Sequence, residues 1–175
     1  MIYLYHMVPP DQSGTTLYPL NQLRDINPEL YKQKASKYTG REHVTERQIP
    51  LLDCLWNDVL HLSPIPPHKL KAVLLAAGME DRQFSYYQIV PALFAPKNTV
   101  IYLHQSTDRV IAPEDSEFVP YDIERLPELV HIPEWTQQYY AQQYTNGDKP
   151  LRFLGIPHIL HKGTIDTTNL PIVTV

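Results

Sequence analysis

Aromatic and β-branched side chains open the chain as a block. Ile2-Tyr3-Leu4-Tyr5-His6-Met7-Val8 ends at Pro9-Pro10 and predicts a strand. Its polarity does not alternate cleanly, so cover is expected on both faces. Asp11-Gln12-Ser13-Gly14 follows as a turn. A helix is predicted from Pro28 to about Tyr38, with Asn27 as cap, Pro28 at the first helical position and Glu29 in the first turn. Thr39-Gly40 closes it, glycine serving the left-handed position at a helix end. Arg41 to Gln48 then carries a second short charged helix or turn.

The central stretch, Leu51 to Leu70, interleaves polar groups with large apolar ones. Read as a helix, it places Asp53, Asn57 and His61 on one face. Read as a strand from about Asp58, it turns Val59 and His61 to one side and Leu60 and Leu62 to the other. Prolines at 64, 66 and 67 end either element. Because Val-Leu-His-Leu runs into that block, a helical turn over Leu51 to Trp56 passing into a short strand is favoured.

Helical periodicity is clearest in His68 to Ala77, where Leu70, Val73, Leu74 and Ala77 form one stripe and Gly78 stops it. Phe84 to Val90 and Thr99 to His104 are predicted strands, joined through Pro91 to Pro96. Ser106 to Pro113 reads as a loop and Tyr121 to Val130 as a helical turn. The longest helix is expected from Glu134 to about Thr145, closed by Asn146-Gly147. Strand character returns at Leu151 to Phe153, His158 to Lys162 and Pro171 to Val175.

This order gives an α+β class: a bent or split, mainly antiparallel sheet with short helices packed around it. One domain over residues 1–175 is expected, since no linker or repeat divides the chain. Seventeen prolines against six glycines favour short elements with rigid connections. A net charge of −4 gives no global attraction to polyanions, although a local basic patch remains compatible with it. One cysteine excludes an internal disulfide. No signal-like start and no run of membrane-spanning length occurs, so a cytoplasmic protein without a membrane partner is expected.

Several constellations could carry chemistry. His158 and His161 have metal-like spacing, but on a strand they point to opposite faces, so no metal site is expected. Cys54 and His61 could form a thiolate pair, yet Leu52, Leu55 and Trp56 mark Cys54 as a core residue. Asp53 with Asp58, and Glu42 with Glu46, read as caps or surface charges. Gly-rich phosphate loops are absent. Trp135 to Tyr144 interleaves aromatics with Gln137, Gln138, Gln142 and Gln143; it could stack a base or ribose, form an amphipathic helix face, or dock a protein partner.

One set of residues resembles a known family. Tyr5-His6-Met7-Val8 closing the first strand is similar to the Tyr-His-x-Thr strand of the DarT-like, DNA-base-modifying branch of the ADP-ribosyltransferase fold, with valine in the threonine position. Asn21-Gln22-Leu23 is a loose counterpart of the family's Asn-Leu pair. Trp56-Asn57-Asp58-Val59-Leu60-His61 resembles its Asn-Asp-Tyr-Val-Pro-Phe segment. The resemblance implies an ADP-ribosyltransferase-like fold and binding of NAD, with a nucleotide or nucleic-acid base as partner. It implies that His6 holds a ribose hydroxyl, that Arg41 or Arg47 holds a phosphate, and that Tyr5 and Tyr18 stand at the cofactor, Tyr18 stacking a ring. Asn57, His61 and His158 complete the implied cleft. The chain departs from the family at its catalytic glutamate, because His158-Ile159-Leu160-His161 puts a histidine there. A histidine has no anionic form near neutral pH to stabilise a ribosyl cation, so altered or lost transferase activity is implied.

Overall fold

The computed structural model describes residues 1–12, 14–105 and 113–175. Strand β1 is Leu4–Met7 and β2 is Thr16–Leu17. Two helices follow, α1 at Leu23–Ile26 and α2 at Pro28–Ala35. The Asn27 side chain accepts from the Leu30 backbone N–H at 3.1 Å, capping α2 as its sequence predicts. A 3-10 turn at Ser36–Tyr38 tightens the end of α2, and another at Glu42–Val44 takes up the charged stretch beyond it.

The central stretch is more broken than expected. Pro50–Leu52 and Trp56–Asp58 are separate 3-10 turns. Between them, β4 (Cys54–Leu55) pairs with β3 (Gln48–Ile49). Asp53 adopts a left-handed conformation at φ 44°, which reverses the chain and makes one continuous helical turn impossible. The expected strand follows as β5, Leu60–Leu62.

Helix α3 runs Pro67–Ala76, β6 Ser85–Ile89, β7 Thr99–Tyr102 and β8 Phe118–Pro120. Except for Pro113, the loop expected from Ser106 lies outside the described residues. Ile123–Leu129 is a 3-10 segment, and α4 spans Glu134–Thr145, within the predicted bounds. The chain finishes with β9 (His158–His161), β10 (Ile165–Asp166) and β11 (Ile172–Thr174). Leu151 to Phe153 is not a strand. Gly155 at φ +71° and the Leu154 N–H to Leu151 carbonyl bond fold this segment into turns.

The fold is mixed α+β, with small antiparallel sheets and short helices. One sheet has the order β1-β6-β11 and another the order β5-β9-β7-β8; β2 pairs with β10. The two larger sheets meet edge to edge at one antiparallel bridge, where Tyr5 and Ser63 exchange N–H···O bonds of 2.8 and 2.9 Å. Both faces of the β5-β9-β7-β8 sheet are covered. On central strand β9, Ile159 packs with Leu4, Leu62, Ile89 and Ile101, whereas Leu160 packs with Ile49, Leu52, Cys54 and Val100. A third cluster joins α3 to α4 through Leu70, Leu74, Tyr140 and Ile156.

The tyrosines of α4 serve that third cluster. Tyr140 is fully buried and its hydroxyl donates to the Arg152 carbonyl, while the Tyr139 hydroxyl accepts from the Leu151 N–H at 3.0 Å. Gln137, Gln138 and Gln142 face solvent instead. Among the described residues no helix is long and apolar enough to cross a membrane.

Candidate functional site

A cleft of about 1020 Å³ opens along one face of the β5-β9-β7-β8 sheet, at the upper end of the range typical of ligand sites. Its floor comes from the sheet. Register places His61 opposite Leu160, and Tyr102 opposite His158, so His61, His158 and Tyr102 project on the same side. The His61 and His158 ring centroids lie 5.9 Å apart, and His104 lies 5.6 Å from His158. His6 enters at the junction between the sheets, its Nδ1 lying 2.9 Å from the His61 carbonyl. Trp56 leans on the His61 ring at 4.6 Å and meets Tyr102 edge-on at 5.5 Å.

Hydrogen bonds fix two of these tautomers. A carbonyl can only accept, so His6 Nδ1 carries its proton and Nε2 keeps the lone pair. His61 Nε2 lies 3.1 Å from the Trp56 carbonyl, which places the proton on Nε2 and the lone pair on Nδ1. His158 Nδ1 and His104 Nδ1 are buried without a hydrogen bond to protein. Burial holds all four imidazoles below the usual histidine range: His61 at about 4, His158 well down, and His6 and His104 in the same direction. At neutral pH the floor is therefore a row of uncharged rings, two of which carry an assigned acceptor nitrogen.

The opposite wall is the segment from Leu20 to Arg47. Leu20, Leu23, Ile26 and Leu30 turn apolar side chains to the cleft, and Lys34, Lys37, Arg41 and Arg47 line the remainder. Three polar contacts tie this arm down: Asn21 Nδ2 to Asp58 Oδ1 at 2.7 Å, Tyr38 hydroxyl to Asn57 Oδ1 at 2.8 Å, and Lys34 to Asp11 at 2.9 Å. Asn57 is buried at 4% exposure; with Oδ1 engaged by Tyr38, Nδ2 is the end left for a ligand. Desolvation, then the charges of Lys34 and Arg41, hold the Lys37 ammonium below the usual lysine range. Arg41 donates to the Lys37 carbonyl at 2.6 Å, and the Arg47 guanidinium lies 5.6 Å from the Trp56 ring centre.

Sequence-predicted residues mostly converge. His6, Tyr18, Arg41, Arg47, Asn57, His61 and His158 all line this cleft. Tyr5 is the exception and corrects the expectation for it. Strand alternation turns it away from His6, into a small groove with Tyr3, Pro64 and Pro66. Both arginines reach the cleft, so the choice between Arg41 and Arg47 dissolves.

The other constellations do not assemble. His161 bonds Thr99 Oγ1 at 3.0 Å and meets the Phe94 ring edge-on at 4.9 Å, on the face away from His158. Among the described residues no group of three or more His, Cys, Asp or Glu side chains is placed to hold a metal ion. Cys54 packs in the core beside Leu52, and burial pushes its thiol up. Asp58 is committed to Asn21 and the Leu55 N–H, and Glu42 accepts from Gly40 on the surface. Neither carboxylate lines the cleft.

Lys34, Lys37, Trp56, Tyr102 and His104 are lining residues that sequence reasoning missed. No helical periodicity flags these cations together, because α2 ends at Ala35 and Gly40 breaks the chain before Arg41. His104 lies beyond the end of β7 at φ 53°, so strand alternation does not account for its place beside Tyr102. Compared with protein-family models, curated proteins and solved structures, the chain matches none of them.

Proposed function

We propose that this protein is a nucleotide-binding domain of the ADP-ribosyltransferase type, holding an NAD-type dinucleotide, with altered or lost transferase activity. One observation carries the reading. Residues 6, 18, 41, 47, 57, 61 and 158, seven of the eight selected by likeness to that fold (Tyr5 is the other), come from well-separated parts of the chain into a single cleft.

The chemistry of the cleft supports the same ligand class. Lys37, Arg41 and Arg47 suit a pyrophosphate, since guanidinium and ammonium donors make charge-assisted bonds to its oxygens. Acceptor nitrogens on His6 and His61 suit ribose hydroxyls, which donate. Trp56, Tyr18 and Tyr102 supply faces against which a base can stack. A carboxylate able to stabilise a ribosyl cation is absent from the described floor, which supports weakened or lost transfer.

Calorimetric titration of the full chain with ADP and NAD, paired with thermal-shift measurements, tests the reading. Saturable heat and a raised Tm are expected for at least one of them. Silence from both nucleotides at millimolar concentration overturns it.

A further inference from the structure

The cations of the arm reach the cleft floor at two different places. At one end Lys34 is paired with Asp11 at 2.9 Å, and the Arg41 guanidinium donates to the Lys37 carbonyl at 2.6 Å. The charges of Lys34 and Lys37 bear on His6, and that of Lys37 on His61. At the other end Arg47 is held beside Trp56, whose N–H donates to the Arg47 carbonyl at 2.8 Å, with the guanidinium 5.6 Å from the indole centre. The Arg47 charge bears on Tyr102 and His104. Register sets the ends apart: His61 and Val100 both face Leu160, whereas His104 lies four residues beyond Val100 along the chain. Asp11 is the one carboxylate among the described lining residues, and Lys34 takes it up. Among the described residues, Lys37, Arg41 and Arg47 have no carboxylate within ion-pair distance. Glu117 also bears on Tyr102 and His104, but it is buried, accepts from the Gln105 and Glu114 backbone N–H groups, and lies outside the lining.

A pyrophosphate cannot serve both ends, because its two phosphates share one bridging oxygen and sit side by side. Lys37 and Arg41 match its pair of charges. Arg47 is then left without an anion, beside the Trp56 and Tyr102 faces that suit a base. A base stacked there brings its own ribose within reach of Arg47, whose fork of N–H donors fits the oxygens of a phosphate monoester. Building on the nucleotide-binding reading above, we propose that the cleft selects nucleotides carrying a third phosphate on the base-bearing ribose, Arg47 holding that phosphate while Lys37 and Arg41 hold the pyrophosphate. The ribose ring is the spacer that lets one ligand meet both cationic ends.

The test is calorimetry on the full chain with ADP and with two pairs of ligands that differ by one ribose phosphate. NAD against NADP adds it at the 2′ position, and dephospho-coenzyme A against coenzyme A adds it at the 3′ position. In at least one pair the phosphorylated member is expected to bind about tenfold tighter at low salt, an advantage that shrinks as salt screens the cations. Arg47→Gln, checked for folding by circular dichroism, is expected to abolish that advantage, and Arg47→Lys to keep part of it. Lys37→Gln is expected to weaken both members of the pair alike and leave their ratio unchanged. Equal affinity within both pairs overturns the proposal and leaves the nucleotide reading standing. An advantage that survives Arg47→Gln, or that Lys37→Gln removes as fully, also overturns it, since Arg47 is then not the seat of the third phosphate. Failure of all five ligands, ADP included, removes the nucleotide reading and this proposal with it.

Discussion

His6 Nδ1 lies 2.9 Å from the backbone carbonyl of His61 and adds a side-chain tie to the one backbone bridge between the two larger sheets. The contact orients one ring, assigns its proton, and ties the first strand of the chain to the cleft floor. Both histidines are half-buried and held neutral by desolvation, which makes the protein sensitive to acid.

Stability is expected to fall as pH drops from about 6.5 towards 4. An unfolded histidine titrates near 6.5, whereas folded His61 titrates at about 4, so between these values the unfolded chain binds the proton and the folded chain does not. Stability therefore rises with pH across that window and is fully present above it. Each such group adds up to about 1.4 kcal/mol per pH unit, and His6, His104, His158 and His161 shift in the same direction. Urea midpoints measured across the window check this, and a flat profile would contradict neutral burial of the row.

Tyr38→Phe removes a 2.8 Å hydrogen bond to buried Asn57 while keeping the ring. A cost of about 1 kcal/mol is expected, and more if Oδ1 is left unsatisfied. Because this bond also ties the cationic arm to the sheet, nucleotide affinity should fall in parallel. Unfolding and titration of one preparation read both effects.

Gly155→Ala is expected to destabilise by more than about 2 kcal/mol. The residue sits at φ +71°, and a Cβ there would collide with the Trp135 indole and Thr136 Oγ1. Trp135→Ala should cost about 3 kcal/mol by emptying the other side of that contact. Thermal melts of the two variants test whether Trp135 works inward, as a packing residue, rather than as a surface anchor. An unchanged Tm for Trp135→Ala would return it to the surface.

Cys54 should react with iodoacetamide more slowly than a free thiol at neutral pH, and at the free rate once denaturant is added. It packs among Ile49, Leu52 and Leu160, with its thiol pushed up by burial, so little thiolate is available. Rapid labelling of the folded protein would reopen a nucleophilic role.

Local signals carried the start of α2 and the whole of α4, whereas α1 was not foreseen and α2 stops at Ala35, short of Tyr38. Asn27-Pro28-Glu29 begins α2, and Glu134 to Thr145 is α4 throughout, because caps and prolines act on immediate neighbours. Strand identity was legible at β1, β5, β6, β7 and β9 from β-branched and aromatic runs. Two-residue β2, β3, β4 and β10 were not, since such pairs are defined by partners remote in sequence rather than by pattern. Leu151 to Phe153 misled because its apolar residues fill space beneath α4 without pairing. The cleft was half legible: residues 6, 57, 61 and 158 were found through likeness, whereas Lys37 and His104 are brought in by the arm and the strand end. Tyr5 shows the cost of reading neighbours together, for adjacent strand residues share a motif and not a face.

The alternation that separates Tyr5 from His6 also limits how this chain can change in length. Removing or adding a single residue between the turn at Pro9 and the start of β1 would rotate the strand by half a period, placing a phenol where the lone-pair nitrogen stands. Every buried neighbour of Leu4 would be exchanged at the same stroke. Around Thr39 to Glu46 no such parity rule operates, because 3-10 turns and exposed backbone absorb an extra residue locally. Length variation among descendants of this sequence should therefore gather in the cationic arm and spare Leu4 to Val8.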